Sequence, residues 1–220
     1  MKKTRPSPPE YWNRAAAEFD AIYARKKNRA GGWLDSVLRK DMFQRFEYTM
    51  EASRPIEGRT FLDAGCGTGH YALALARRRA AKVVGLDFSD VMVGICKERA
   101  ARENLGNTEF LRSDILDFEG AEPFDVAIAI GLFDYTKDPA AVLGKLGSRT
   151  RDKIIASFPR AGTARALIRK ARLATRGCGV FFYARRDVET LMADAGLTII
   201  GMKTLGQLFC VTAGPVSGRP

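Results

Sequence analysis

An acidic residue followed by three glycines at alternate positions is the pattern in this chain with the clearest chemical meaning. It lies in residues 62–70, which read Leu-Asp-Ala-Gly-Cys-Gly-Thr-Gly-His, between a short apolar run and an alanine-rich stretch. Glycine permits a positive φ and lets a backbone approach a ligand without a Cβ in the way. A helix that begins after such a turn presents unpaired N–H groups to the ligand. The segment therefore predicts a strand, a tight turn and a helix start that together bind a nucleotide.

The glycine spacing distinguishes between nucleotides. A dinucleotide-binding fingerprint has its third glycine three positions after the second. Here the glycines are Gly65, Gly67 and Gly69, and Asp63 stands two residues before the first of them. This spacing argues against a nicotinamide dinucleotide as the ligand.

The pattern instead resembles motif I of the class I S-adenosylmethionine-dependent methyltransferases, and the resemblance continues in the family's order over residues 59–213. Asp87 closes the second predicted strand, where an acidic side chain can accept both ribose hydroxyls. The resemblance implies that Asp114 lies near the adenine amino group and that Ile115 packs on the ring. The segment 124–126, Phe-Asp-Val, opens the fourth strand as in many members of this family. The implied cofactor is S-adenosyl-L-methionine.

The residues that we assign to the cofactor share positions at or just after the carboxyl ends of the first four predicted strands. They are Asp63, Gly65, Cys66, Gly67, Gly69, Asp87, Phe88, Asp114, Ile115 and Gly131. Each acid has an alternative role. Asp63 has the alternative of a turn residue and Asp87 that of a cap for the next helix, while Asp114 shares its loop with Asp117. Cys66 is expected to fill space beside the cofactor, with a reactive thiol as the alternative.

The candidate catalytic residues follow from the chemistry of methyl transfer. The cofactor supplies the activation for this displacement, so the protein mainly positions the acceptor and excludes water. Asp134 and Tyr135, after the fourth strand, are candidates for a base or orienter and for a hydrogen-bond donor. His70, the only histidine, is a further candidate base. The alternatives are a helix-start aspartate, a core tyrosine, and a histidine that caps its helix or lines the methionine end.

Candidate acceptor-binding residues lie on the predicted first helix and near the fifth strand. Tyr11 and Tyr23 resemble the lid of small-molecule members of the family, although they suit an ordinary apolar helix face equally well. Arg160 follows the fifth strand directly, and Asp134 is a candidate for acceptor contact as well. Arg169 would share one helical face with two other arginines, which would form an anion-binding patch: Arg165 and Arg172. Solvated surface roles are the alternative for the arginines.

The alternation of apolar runs and helical patterns predicts the fold that must position these residues. We expect an α/β fold with a doubly wound, seven-stranded Rossmann-like sheet, mostly parallel with an antiparallel last strand, plus N-terminal lid helices. The predicted strands cover 59–64, 82–86, 108–112, 124–130, 153–157, 197–204 and 207–213. The predicted helices cover 11–27, 33–52, 70–79, 89–102, 139–146 and 186–195.

The predicted organisation has three parts. Residues 1–9 form a disordered leader, residues 10–55 a helical lid, and residues 56–220 the cofactor-binding domain with a basic insertion at about 158–183. No apolar run approaches the length of a membrane span, and the basic N-terminus lacks the apolar region of a secretory signal. The four cysteines lie far apart in the chain, and no metal site is expected. We expect a cytoplasmic protein.

The charge balance bears on the partner. The chain has 36 Lys and Arg against 25 Asp and Glu, a formal net charge of +11. This excess favours an anionic partner, which covers an anionic small molecule, an acidic carrier protein, a membrane surface and nucleic acid. A basic enzyme with no such partner is the alternative. Nucleic acid is disfavoured, because 220 residues leave no room for an appended RNA-binding module.

Three functions are compatible with the sequence. The first is a small-molecule methyltransferase, because the layout resembles the O-methyltransferases of the magnesium-protoporphyrin and ubiquinone-pathway type. The segment 131–135 departs from the porphyrin enzymes, because Asp134 and Tyr135 replace their His-Tyr pair. The second is an RNA or protein methyltransferase that uses the basic surface. The third is a regulatory module that binds S-adenosylmethionine without turnover.

Overall fold

The computed structural model describes residues 33–120, 122–163 and 179–215, with side chains from residue 41 onward. The predicted leader over 1–9 and the predicted helix over 11–27 lie outside these ranges. Tyr11, Tyr23 and Arg169 lie outside them as well, so their predicted roles stay predictions.

Five helices and seven strands lie within the described residues. The helices are α1 (Trp33–Ala52), α2 (His70–Ala76), α3 (Asp90–Arg102), α4 (Pro139–Ser148) and α5 (Arg185–Asp194). The strands are β1 (Thr60–Ala64), β2 (Lys82–Asp87), β3 (Thr108–Arg112), β4 (Phe124–Ala129), β5 (Thr150–Pro159), β6 (Leu197–Leu205) and β7 (Leu208–Pro215). None of the described helices is both long enough and apolar enough to cross a membrane.

The strands form one sheet in the order β3-β2-β1-β4-β5-β7-β6. The first five strands of the chain pair in parallel, and β7 runs antiparallel to both β5 and β6. This confirms the predicted fold class. The chain moves outward from β1 to β3 and then returns to place β4 on the other side of β1. Ligands of open α/β sheets bind outside the carboxyl ends of the strands at such a reversal.

The core lies on both faces of the sheet. Val126 and Ile128 of β4 face the layer of α2 and α3, whereas Ala127 and Ala129 face the layer of α4 and α5. All four side chains are fully buried. A central parallel strand is covered by helices on both sides, which is why β4 reads as an unbroken apolar run.

Local signals set most helix ends. The Ser89 hydroxyl accepts a hydrogen bond from the Met92 N–H (3.2 Å), as expected for the N-cap of α3. Asp138 caps α4 in the same way, with Pro139 in the first turn. Gly196 follows α5 with φ 68°, the left-handed conformation that ends many helices.

Two elements differ in length from the prediction by three residues or more. Helix α2 ends at Ala76 rather than residue 79, because Arg79 adopts φ 64° and its carbonyl accepts from the Gly58 N–H. Strand β5 extends from Thr150 to Pro159 rather than over 153–157, because its last residues pair with β7. Pro159 is tolerated there because the pairing of β5 with β4 ends at Ala156, so its missing N–H removes no hydrogen bond to β4.

Helix α1 packs against the β6–β7 end of the sheet. It contacts β6 and β7, and the Tyr48 hydroxyl lies 2.8 Å from the Thr212 hydroxyl of β7. Thr49 and Met50 are buried in the same part of the helix. This packing places the preceding turn of α1, with Arg45, beside the carboxyl ends of the central strands.

Candidate active site

The three glycines of the turn after β1 adopt the backbone conformation that their type permits. Gly65, Gly67 and Gly69 have φ values of 72°, 53° and 80°. L-residues with a Cβ rarely adopt this region. The N–H groups of Gly65 and Cys66 donate to the Leu86 carbonyl at 2.8 and 2.9 Å. The turn is therefore fixed to the carboxyl end of β2.

Asp87 holds the same turn through its side chain. One carboxylate oxygen accepts from the Gly67 N–H and the other from the Ser89 N–H, both at 2.9 Å. Burial raises the pKa of Asp87, partly offset by these two hydrogen bonds. Each carboxylate oxygen has a second lone pair for a further donor. Asp87 therefore combines the positioning of the turn with the capacity to accept ligand hydroxyls.

Asp63 lies deeper, at 1% exposure. Its carboxylate accepts from the Ala72 N–H of α2 at 3.2 Å, so it links the end of β1 to the first turn of the next helix. Burial, with a smaller contribution from the charge of Asp87, raises the pKa of Asp63 to about 7. The described contact of Asp63 is thus with the protein, and a contact with the cofactor stays a prediction.

The loop after β3 reaches the same edge of the sheet. The Ser113 N–H donates to the Asp87 carbonyl at 3.0 Å, which places Asp114 next to the end of β2. The Asp114 side chain is exposed and accepts from the Leu116 N–H at 2.9 Å, while Ile115 is buried. Asp87, half-buried Phe88 and Asp114 therefore follow one another along the carboxyl edge in the predicted order.

The turn after β4 meets the glycine turn. Gly131 has φ 78°, and its N–H donates to the buried Ser157 hydroxyl at 2.9 Å. A Cβ on Gly65 would lie 3.0 Å from a methyl group of Leu132, which is tighter than ordinary contact. The absence of a side chain at Gly65 therefore allows the two turns to approach each other. The turns together form a cradle at the switch between β1 and β4.

Arg45 and Tyr71 complete this cradle, and the sequence analysis missed both. The Arg45 Nε donates to the Tyr71 hydroxyl at 3.1 Å, and a Cβ on Gly131 would lie 3.6 Å from the Arg45 Nη1. The sequence gives only a weak indication of Arg45, which is its position on α1 one turn before Thr49, a buried residue. His70, the first residue of α2, lies against the ring of Phe46 (4.8 Å) and that of Tyr71 (5.5 Å).

The predicted acceptor side is built around Asp134. Its side chain is 4% exposed, and its carbonyl accepts from the Phe181 N–H at 2.9 Å. The Tyr183 hydroxyl donates to the Phe133 carbonyl at 3.1 Å. Burial and the nearby charge of Asp134 raise the pKa of Tyr183 to about 12, so this hydroxyl stays protonated at neutral pH. Tyr135 is half-buried, and its N–H donates to the Leu132 carbonyl.

Tyr183 also closes the base of the predicted insertion, a role that the sequence analysis missed. Its N–H donates to the Pro159 carbonyl, and its carbonyl accepts from the Ala161 N–H, both at 2.8 Å. The guanidinium of Arg160 donates to the Gly206 carbonyl at 3.0 Å and lies over the Phe209 ring. The Arg160 guanidinium therefore already contacts the β6–β7 hairpin, and its contact with an acceptor stays a prediction.

The thiols near the cradle are buried. Cys66 and Cys96 both approach the Gly67 carbonyl, and mutual contact together with burial raises the pKa of Cys66 well above its ordinary range. Such a thiol is a poor nucleophile at neutral pH. The structure therefore favours the space-filling role of Cys66. Among the described residues, no group of His, Cys, Asp and Glu is arranged to hold a metal ion.

A mostly parallel seven-stranded sheet with an aspartate-bound glycine turn at its switch point defines a nucleotide-binding α/β protein. Residues 56–181 match the family model described as a methyltransferase domain. The chain therefore belongs to the methyltransferase domain family.

Curated relatives match part of the chain. The ubiquinone biosynthesis O-methyltransferase of Neisseria meningitidis serogroup C is 33% identical over 101 residues, which are 45% of this chain and 42% of the relative. The magnesium-protoporphyrin O-methyltransferase of Rhodobacter capsulatus is 36% identical over 102 residues, which are 46% of this chain and 45% of the relative. The matched segments thus span less than half the length of these relatives.

The structural likeness extends further. Magnesium protoporphyrin IX methyltransferase from Synechocystis, solved with bound SAH, superposes with a TM-score of 0.77 over 94% of this chain and 97% of that chain. The sequence identity is 21%, so this likeness concerns the fold.

The burial of Asp63 predicts a pH-dependent stability. Its pKa of about 7 exceeds the ordinary value of 3.8, so the folded protein binds a proton that the unfolded chain releases between these values. The free energy of unfolding that Asp63 contributes therefore falls as the pH rises through this window. Asp63→Asn removes the titration and keeps an oxygen to accept from Ala72. In urea unfolding, we expect the free energy of unfolding of the variant to increase by roughly 2–4 kcal/mol relative to that of the wild type between pH 4 and pH 8. If the free energies of unfolding of the two proteins differ by the same amount at pH 4 and at pH 8, position 63 does not hold a buried ionisable carboxyl.

Asp87 predicts an effect on the binding of S-adenosylmethionine. Asp87→Asn removes the charge, and one end of the amide cannot accept from a backbone N–H. We expect the dissociation constant to rise at least about tenfold, from the loss of charged hydrogen bonds, in calorimetric titration. Glu98→Gln removes one negative charge from the exposed face of α3 and serves as the control. If the two variants bind S-adenosylmethionine with equal affinity, Asp87 does not contact this ligand.

Proposed function

We propose that this protein is a methyltransferase that moves a methyl group from S-adenosylmethionine to a small-molecule acceptor. The observation that carries the proposal is the glycine turn bound by Asp87 at the point where the strand order reverses. Membership of the methyltransferase domain family supports the reaction class. The curated relatives are named as a ubiquinone biosynthesis O-methyltransferase and a magnesium-protoporphyrin O-methyltransferase, and both names support a small acceptor.

The residues of the cradle suit the parts of this cofactor. Because Gly65 lacks a Cβ, Leu132 lies against it and the turns after β1 and β4 meet at the strand ends, where the ligand would bind. The lone pairs of Asp87 suit ribose hydroxyls, and Asp114 with Ile115 lies one strand further along, where the adenine would bind. The hydroxyl of Thr68 is buried in the turn and has no hydrogen-bond partner among the described residues. A polar group of a ligand would satisfy this hydroxyl.

The opposite end of the cradle suits a carboxylate. Arg45 is held by Tyr71 and lies over Gly131, where the amino-acid part of the cofactor would extend from the ribose. Its guanidinium is a planar fork of five donors, a geometry that suits a bidentate contact with a carboxylate. We therefore assign Arg45 to the carboxylate of the methionine part.

The chain contributes positioning and water exclusion. When bound, the cofactor supplies a methyl group on a sulfonium, which is already activated for displacement. The turns after β1 and β4 meet at the switch point with Arg45 of α1 beside them, so they would hold the acceptor atom against that methyl group. Asp134, buried in the segment after β4, would orient the acceptor or take its proton. A proton that Asp134 does not take would pass to solvent.

Arg45 provides a test of the cofactor orientation. Arg45→Gln removes the charge that would meet the carboxylate, so we expect the affinity for S-adenosylmethionine to fall about tenfold or more. Tyr71→Phe keeps the ring packed against Phe46 and releases Arg45, so a smaller loss is expected. Adenosine, which lacks the carboxylate, should bind both variants as it binds the wild type. If Arg45→Gln loses as much affinity for adenosine as for S-adenosylmethionine, Arg45 does not bind the carboxylate.

Asp134 provides a test of the acceptor side. Asp134→Asn is expected to lower turnover by roughly 10²-fold, the range of general acid–base catalysis, with the cofactor affinity within about twofold of the wild type. A variant that turns over as fast as the wild type would exclude the base or orienter role.

The acceptor can be identified by the transfer of a labelled methyl group. The full chain is incubated with S-adenosylmethionine carrying a labelled methyl group and a cell extract separated into metabolite, RNA and protein fractions. We expect label in the metabolite fraction, and none with a heat-treated enzyme. Label in RNA or protein alone would overturn the small-molecule proposal.

A further inference from the structure

Arg160 and Gln207 lie opposite each other at the carboxyl edge of the sheet, where β5 ends and β7 begins. The antiparallel register pairs Pro159 with Leu208, and the next pair continues it, because the Arg160 N–H donates to the Gln207 carbonyl at 2.9 Å. Directly opposed residues of antiparallel strands project from the same face, with their Cβ atoms about 5 Å apart. The two side chains therefore share one space.

Each of these side chains carries a buried polar atom that has no hydrogen-bond partner among the described residues. The atoms are the Arg160 Nε, a donor, and the Gln207 Oε1, an acceptor. They are not hydrogen-bonded to each other, although the two residues are cross-strand neighbours. An unsatisfied buried polar atom is costly, and folded proteins pair nearly all of them. A group that both accepts and donates a hydrogen bond would bridge the two atoms and remove both costs.

Two contacts hold the hairpin tip that carries Gln207. The Arg160 guanidinium donates to the Gly206 carbonyl at 3.0 Å. Asp41 of α1 lies so close to the tip that a Cβ on Gly206 would overlap its carboxylate. Gly206 therefore allows α1 to approach the hairpin. The tip presents Gln207 from a supported position, which precise recognition of a ligand requires.

A short segment connects this pair to the predicted acceptor side. Tyr183 forms a parallel β-bridge with Arg160, and two residues earlier the Phe181 N–H donates to the Asp134 carbonyl at 2.9 Å. The Phe181 side chain is 36% exposed, and the Arg160 guanidinium lies over the Phe209 ring, 5.5 Å from its centroid. An acceptor with an apolar body would extend from Asp134 past Phe181 to the polar pair.

We propose, on the basis of the proposed function, that Arg160 and Gln207 are specificity-determining residues that bind a neutral hydroxyl group of the acceptor between them. The hydroxyl oxygen accepts from the Arg160 Nε–H, and the hydroxyl proton is donated to the Gln207 Oε1. A carboxylate has no proton to donate, so its oxygen would face the lone pairs of the Gln207 Oε1. Both residues are partly exposed and have long side chains, so a change of rotamer opens the two atoms to the ligand.

The test uses three small aromatic probes, titrated into the full chain without cofactor and followed by nuclear magnetic resonance. Phenol donates and accepts a hydrogen bond, whereas anisole and benzoate only accept. We expect the wild type to bind phenol at least about threefold more tightly than either of the others, which is the contribution of one neutral hydrogen bond. Gln207→Met keeps the length of the side chain and removes its oxygen. In this variant the affinity for phenol should fall to that for anisole, and the affinity for anisole should not change.

Thr204→Val is the control, because it removes a hydroxyl from an exposed position of the same hairpin. We expect its affinities for all three probes to equal those of the wild type. Thermal unfolding shows whether each variant is folded, and Gln207→Ala replaces Gln207→Met if the latter does not fold.

The proposal is overturned if no probe binds saturably, or if the wild type binds phenol no more tightly than anisole. The second result would assign the two buried atoms to water alone. Equal losses of phenol and anisole affinity in Gln207→Met would overturn the proposal as well, because they would indicate a structural role. Selective binding of phenol by a chain that does not bind S-adenosylmethionine would contradict the proposed function alone.

Discussion

The structure depends on the hydrogen bonds that satisfy the backbone N–H groups of one glycine turn, which lies at the buried end of β1. The turn after β1 exposes N–H groups where solvent is largely excluded, and unpaired buried donors are costly. Asp87 and the Leu86 carbonyl accept three of these donors, and both belong to the end of β2. The spacing between β1 and β2 is thereby coupled to the conformation of the turn. We propose that the nucleoside part of the cofactor binds across these two strand ends.

The remaining parts of the site are arranged around this turn. Gly65 allows Leu132 to approach, so the turn after β4 lies against the turn after β1. Helix α1 packs on β7 and thereby places Arg45 over Gly131. The arrangement costs stability, because burial raises the pKa values of Asp63 and Asp87. Such costs are typical of sites that are organised before the ligand arrives.

Local patterns were sufficient for the turn, the succession of helices and strands along the chain and most helix ends. The glycine spacing, the apolar runs and the caps at Ser89 and Gly196 are encoded within a few residues, and the structure has them at those positions. Arg45, Tyr71 and Tyr183 were missed because their roles come from contacts between distant segments. Nothing near Arg45 in the chain indicates that α1 lies over β7, and nothing near Tyr183 indicates the Phe133 carbonyl. The extended β5 likewise depends on pairing with β7.

We infer that the turn over residues 65–69 binds a methyl donor rather than a hydride carrier. Calorimetric titration of the wild-type chain with S-adenosylmethionine, S-adenosylhomocysteine and NAD distinguishes the two kinds of ligand. We expect saturable one-to-one binding of the first two, at dissociation constants of about 1–100 μM, and no heat of binding from NAD. NAD binding in this range, or no binding of S-adenosylmethionine at millimolar concentration, would contradict it.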